Sequence, residues 1–152
     1  MVLTFIRHGI AGANISEELR ALTAEGRQQI ERLSLQLQKK DEPVDLILSS
    51  PLLRTQQTAE IIANVLEAKD RLVLDPRLAC GCHWSDLQSV LQEYRNAQTI
   101  FIVGHMPDLG VIASELLGLS QSVEFKKGSA LKLKTPFFRA GAGTLLSFIH
   151  PE

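Results

Sequence analysis

Cysteine is scarce in this chain, and the two present, Cys80 and Cys82, stand two positions apart. So short a spacing suits a disulfide framework poorly, and a reducing, cytoplasmic setting is the simpler expectation. No apolar run approaches the roughly 18 residues that a membrane helix needs. The start, Met1-Val2-Leu3-Thr4-Phe5-Ile6-Arg7, lacks a basic n-region and reaches a charge too early for a signal peptide. No charge excess exists either: Lys plus Arg is 16, Asp plus Glu is 17, and the formal net charge is −1. That balance gives no general case for binding nucleic acid or an anionic membrane. Internal repeats, low-complexity blocks and long linkers are also missing.

What remains is an ordinary globular mixture, 45% hydrophobic and 22% charged over 152 residues. Such a length is expected to form one domain over residues 1–152. A chain of this size buries about 68–70% of its unfolded surface, so it needs no disulfide or metal staple.

Apolar runs alternate with amphipathic stretches. Strands are expected at Val2–Ile6, Val44–Leu48, Leu72–Leu74, Thr99–Val103, Ala130–Lys134 and Leu145–Ile149. A helix over Thr23–Lys39 has Thr23 as its cap and Ile30, Leu33 and Leu37 on one face. Ser50 and Pro51 read as the N-cap and N1 of a second helix running to about Leu66. Ser85, with Gln88 completing a capping box, starts a third. Pro107-Asp108 opens a fourth, which Gly118 ends. The order predicts a three-layer α/β/α domain. Its central sheet is mostly parallel, with an antiparallel C-terminal strand pair.

In such sheets the ligand crevice lies beyond the carboxyl ends of the strands. Three of those ends carry Arg7-His8-Gly9, Ser49-Ser50-Pro51 with Arg54 a turn later, and Gly104-His105. No acidic residue lies within these three segments. Imidazoles and guanidiniums gathered without carboxylates suit an anion, and the guanidinium fork matches phosphate oxygens. A helix N-terminus beside them adds N–H groups and a favourable dipole. Taken singly, an Arg-His-Gly tripeptide carries little, His105 reads as a structural histidine and Arg54 as a solvated helix residue. Their joint placement is the signal.

These segments resemble the histidine phosphatase superfamily of the phosphoglycerate mutase-like fold, and within it the SixA-type phosphohistidine phosphatases. Arg7-His8-Gly9 resembles the superfamily signature. Arg20-Ala21-Leu22-Thr23-Ala24-Glu25-Gly26 is similar to the branch's R-x-L-T-x-x-G stretch. Ser49-Ser50-Pro51-Leu52-Leu53-Arg54-Thr55-Gln56-Gln57-Thr58-Ala59 is similar to its S-S-P-x-x-R-x-x-Q-T-A segment. Gly104-His105-Met106-Pro107-Asp108-Leu109 is similar to its G-H-x-P-x-L segment, and Lys127-Gly128 to its late K-G stretch. The matches run in order from residue 2 to about 134.

The resemblance implies that His8 is the nucleophile accepting the phosphoryl group, while Arg7, Arg54 and His105 hold its oxygens. It implies a cytoplasmic phosphatase whose partner is a phosphohistidine on a phosphotransfer domain. No cofactor or metal is expected, because Arg and His can do the charge work of Mg²⁺. The alternatives are a small-molecule phosphatase or mutase of the same fold, and a non-catalytic phosphate-binding module. Short inter-motif segments leave little chain for a lid, which favours a protein substrate. The oligomeric state is not readable.

A general acid is harder to place. Asp75-Pro76-Arg77-Leu78 stands where some relatives have Pro-Glu-Leu, so Arg77 replaces the candidate acid. Asp75 and Asp86 are alternatives, with Asp86 reading better as a first-turn helix residue. A phosphohistidine leaving group needs less help than an ester, which predicts poor turnover of unactivated phosphate monoesters. Cys80-Gly81-Cys82-His83 has no second ligand cluster and reads as a loop without metal. Asn14 reads as a loop hydrogen-bonder, Ser129 as a turn residue with a pocket role as the alternative, and His150 as exposed. Gln57 and Thr58 belong to the motif, and helix packing explains Thr58 as well as a ligand does.

Overall fold

Six strands make up one sheet: β1 (Val2–Arg7), β2 (Leu46–Ser49), β3 (Leu72–Leu74), β4 (Thr99–Gly104), β5 (Ala130–Lys134) and β6 (Thr144–Ile149). The computed structural model describes residues 1–40 and 43–151, so Asp41, Glu42 and Glu152 lie outside the described residues. The strand order is β3-β2-β4-β1-β5-β6. β3, β2, β4 and β1 pair in parallel, whereas β5 runs antiparallel to both β1 and β6. The mostly parallel sheet with an antiparallel C-terminal pair is therefore present as expected.

The helices are α1 (Ala24–Lys39), α2 (Leu53–Val65), α3 (Trp84–Glu93) and α4 (Asp108–Leu117). They cover both faces of the sheet, and the alternation along the strands shows how. Leu3, Phe5, Ile100 and Ile102 pack with Leu87, Val90, Leu109, Ile112 and Leu116 from α3 and α4. Ile6, Phe101 and Val103 pack with Ile30, Leu33, Ala59, Ile62 and Ala63 from α1 and α2. A strand buried on both sides must be apolar at consecutive positions, which is why β1 and β4 read as unbroken runs.

Local signals held at some ends and failed at others. Thr23 caps α1, its Oγ1 accepting from Gly26 N–H at 3.0 Å. Gly118 ends α4 in the left-handed region at φ 69°. Ser50, however, is not the cap of α2. Leu52 stays extended at ψ 144°, so the helix begins only at Leu53 and Pro51 precedes it. Nor does Gln88 serve α3, whose N-cap is His83. Asp86 sits at N3 and accepts from His83 N–H at 2.9 Å, and a carboxylate there also meets the helix dipole. β2 starts two residues later than the apolar run suggests, at Leu46 rather than Val44.

Candidate active site

The parallel register does the assembly. Arg7 pairs with Gly104 across β1 and β4, so His8 and His105 leave the sheet side by side. Their ring centroids are 5.6 Å apart and their planes tilted by 57°. Ser49 pairs with Val103, which brings Ser50 to the same edge. Arg54 arrives from the first turn of α2. His8, His105 and Arg54 are all buried, at 6%, 3% and 5% exposure.

Buried polar groups are almost always hydrogen-bonded, so orphans are informative. Among the described residues, four buried side-chain atoms lack a partner: Arg7 Nε, Arg54 Nε, His105 Nδ1 and Ser129 Oγ. Three of the four belong to the residues that the sequence gathers as an anion site. Both guanidiniums are also tethered. Arg7 Nη1 donates to Phe125 O at 2.6 Å, and Arg54 Nη1 to Glu17 O at 2.7 Å. The Glu17 carboxylate lies 3.8 Å from Arg54 Nη2 and also pairs with Arg20. The tethers fix each fork in place, so neither pays ordering entropy again when an anion arrives.

His8 Nδ1 lies 2.8 Å from Gly9 O. A carbonyl oxygen only accepts, so Nδ1 carries the hydrogen and Nε2 keeps the lone pair. Burial pushes the His8 pKa down to about 4, and the charges of Arg54, Arg7 and Lys127 push the same way against the Gly9 hydrogen bond. His105 falls to about 3, chiefly through burial, with His8, Arg54 and Arg7 adding to it. Both rings are neutral at pH 7. A neutral imidazole with a free Nε2 lone pair among guanidiniums has the equipment of a nucleophile toward phosphorus.

Residues 3–88 match the family model of the histidine phosphatase superfamily, branch 1. The chain belongs to that superfamily. An uncharacterized protein of Picosynechococcus sp. is 34% identical over 153 residues, covering 95% of this chain and 91% of its own. Phosphohistidine phosphatase SixA of Escherichia coli K12 is 27% identical, covering 76% of this chain and 74% of its own. In solved structures the fold recurs in the protein histidine phosphatase SixA complexed with tungstate, at TM-score 0.89 and 22% identity, covering 99% and 97% of the two chains. It recurs also in the alpha-ribazole phosphatase from Shigella flexneri, at TM-score 0.72 and 21% identity, covering 96% and 95%.

The remaining residues of this histidine phosphatase sort themselves by contact. Thr58 does more than pack: its Oγ1 accepts from Gly9 N–H at 3.2 Å and donates to Arg54 O at 2.7 Å. It thereby joins the His8 turn to the Arg54 helix. Gln57 Oε1 accepts from Leu22 N–H at 2.8 Å and holds the next loop. Gln29, which nothing in the sequence singles out, bridges Ile10 N–H and Lys127 O. Its only signal is a polar residue on the buried face of α1. Gly128 turns the chain there at φ 78°, its N–H shared between Arg7 O and His8 O.

Neither alternative for a general acid is free. Asp75 is gripped by Arg77 through Nε at 3.0 Å and Nη2 at 2.7 Å, and this pairing holds its carboxyl below the usual range. Arg77 reaches Glu93 as well. Asp86 caps α3. Cys82 lies in the hydrophobic core with its thiol pushed up to about 12, chiefly by burial, while Cys80 is exposed with Sγ 4.0 Å from Arg54 Nη2. Among the described residues no group of three or more His, Cys, Asp or Glu is placed to hold a metal. Asn14 bonds within its own loop, to Leu19 O and Ser16 N–H. Ser129 closes the Lys126–Ser129 turn, its N–H donating to Lys126 O at 3.0 Å, and it is fully buried beside β1, where its carbonyl accepts from Arg7 N–H. His150 is exposed and stacks on Phe148 at 4.3 Å. No described helix is long and apolar enough to cross a membrane.

Proposed function

We propose that this phosphatase removes phosphate from a phosphohistidine on another protein, through a phosphoenzyme on His8. The observation that carries the reading is His8 itself. It is buried and neutral, its Nδ1 is anchored on Gly9 O, and the charges of Arg54 and Arg7 act on its ring, each guanidinium keeping one buried Nε–H without a partner. Nε2 attacks phosphorus, the substrate's P–N bond breaks, and the leaving imidazole nitrogen takes a proton from water. Arg7, Arg54 and His105 hold the equatorial oxygens while charge builds on them. Water then attacks the phosphoenzyme, the P–Nε2 bond breaks, the proton that this water sheds neutralises the hydroxide left by the first step, and phosphate leaves with His8 restored.

Two features favour a protein-borne imidazole over a sugar ester. Asp75 and Asp86, the acids the sequence offers for protonating an alkoxide, are engaged by Arg77 and by the start of α3, and the Glu17 carboxylate is paired with Arg20 and Arg54. The loop carrying Glu17 presents Ile15 and Leu19 to solvent beside the Arg54 tether, an apolar rim fit for a protein surface. The two SixA relatives share that substrate class by name. A phosphotransfer domain in the cytoplasm is the partner this reading calls for.

The test is phosphate release from a histidine-phosphorylated phosphotransfer domain, wild type against His8→Ala, with chelator present. Release by wild type alone, through an acid-labile phosphoenzyme, is expected. Turnover of a small phosphate ester but not of the domain would transfer the assignment to a metabolite. Inactivity on both, with retained phosphate binding, would make the site a binding module.

A further inference from the structure

We propose that Ser50 sets the tautomer of His105, so that His105 presents Nδ1–H, a donor, to the transferring phosphoryl group. This deepens the phosphoryl-transfer reading above and rests on it for its catalytic consequence, though not for the tautomer itself.

The argument is a count of hydrogens. Ser50 is fully buried, and its Oγ lies 2.8 Å from His105 Nε2. The same Oγ accepts from Leu52 N–H at 3.3 Å. A serine hydroxyl has one hydrogen and two lone pairs. Among the described residues, His105 Nε2 is the one acceptor that the Ser50 hydrogen reaches. With the ring proton on Nε2, Oγ would receive two donors, and its own hydrogen would be buried without an acceptor. With the proton on Nδ1, Ser50 O–H donates to Nε2 and every group of Ser50 is satisfied. Buried networks settle on the arrangement that leaves no such orphan.

Ser50 cannot readily swing away. Its N–H donates to Val103 O, and its carbonyl accepts from Ser49 Oγ and Thr55 Oγ1, each at 2.9 Å. This also explains why it does not cap α2. His105 Nδ1 is buried without a partner, which is what a donor kept for an absent anion looks like. A lone pair at that place would repel a phosphate oxygen. Because burial keeps His105 neutral, it has one ring proton, and its position decides which role the ring can play. The two histidines then divide the work: Gly9 O leaves His8 with a bare Nε2, while Ser50 O–H leaves His105 with a protonated Nδ1.

The experiment is a long-range ¹H–¹⁵N correlation spectrum of the full chain at pH 7.5. Four histidines are present, so single substitutions of His8, His83 and His150 complete the assignment. The expected result is a protonated Nδ1 and an unprotonated Nε2 on His105. Protonation at Nε2 in the wild type overturns the proposal, whatever the activity. In Ser50→Ala the His105 signals should move toward a tautomer mixture. Its kcat should fall at least about tenfold, with the roughly 10²–10³-fold cost of deleting an oxyanion donor as the upper bound, and KM should change less. Ser50→Thr, which keeps the hydroxyl, should restore both the tautomer and most of kcat. Ser50→Ala with an unchanged tautomer and wild-type kcat overturns the proposal. Should Ser50→Ala not fold, the wild-type and Ser50→Thr spectra still decide. A wild type with the expected tautomer but no turnover of any phosphorylated substrate counts against the function rather than against Ser50.

Discussion

Acidification should destabilise this protein through two histidines in particular. Burial holds the pKa of His8 at about 4 and that of His105 at about 3, against 6.5 for an ordinary histidine. Both values are lowered in the folded state, so the unfolded chain binds protons first as the pH falls. The stability these rings contribute is complete above pH 6.5 and drains away toward pH 4 and 3. Between pH 7.5 and pH 5 each ring accounts for about 2 kcal/mol, and the pair for about 4 kcal/mol. The figure changes little as long as both folded-state values lie below pH 5. Since a whole domain has only about 5–15 kcal/mol, the effect is large. The assay is urea unfolding at pH 7.5, 6.0, 5.5 and 5.0, for wild type and for His8→Asn/His105→Asn. Subtracting the two curves removes the contribution of every other titrating group. The difference should fall by about 4 kcal/mol over that interval. A flat difference would mean that both rings accept protons in the folded protein, and the description of the site as buried and neutral would be wrong.

Thr58→Val removes the acceptor of Gly9 N–H, and one unsatisfied buried donor should cost about 1–3 kcal/mol, read by urea unfolding, with turnover reduced as the His8 turn loosens. A methyl group at Gly26 would collide with the Ile10 carbonyl oxygen, so Gly26→Ala should destabilise by about 1–3 kcal/mol and displace the loop after His8. Thermal unfolding measures the first effect and kcat the second. Asp75→Asn should leave phosphohistidine turnover close to wild type, because Asp75 is held by Arg77. A loss of about a hundredfold or more would mark Asp75 as a general acid after all.

The strands and the buried face of α1 could be read from the sequence, because burial on both faces of a sheet demands continuous apolar runs, and a helix packed on one side demands a stripe. The convergence of the candidate site residues was legible for the same reason. Parallel strands deliver whatever follows them to one edge, so Arg7-His8, Ser49-Ser50 and Gly104-His105 had to converge. What the chain order could not say was which hydrogen bonds those residues choose once there. Ser50 looks like a helix cap, and only the neighbouring strand shows that His105 claims its hydroxyl. Thr58 looks like packing until Gly9 N–H is seen against it, and Asp75 looks like an available acid until Arg77 folds over it. Gln29 gives no sign that it ties Ile10 to Lys127, which lies 98 residues beyond Gln29 in the chain. Periodicity and strand-end position are one-dimensional consequences of burial, and a single sequence carries them. Partner choice among polar groups depends on distances between segments remote in the chain, so only the tertiary structure decides it.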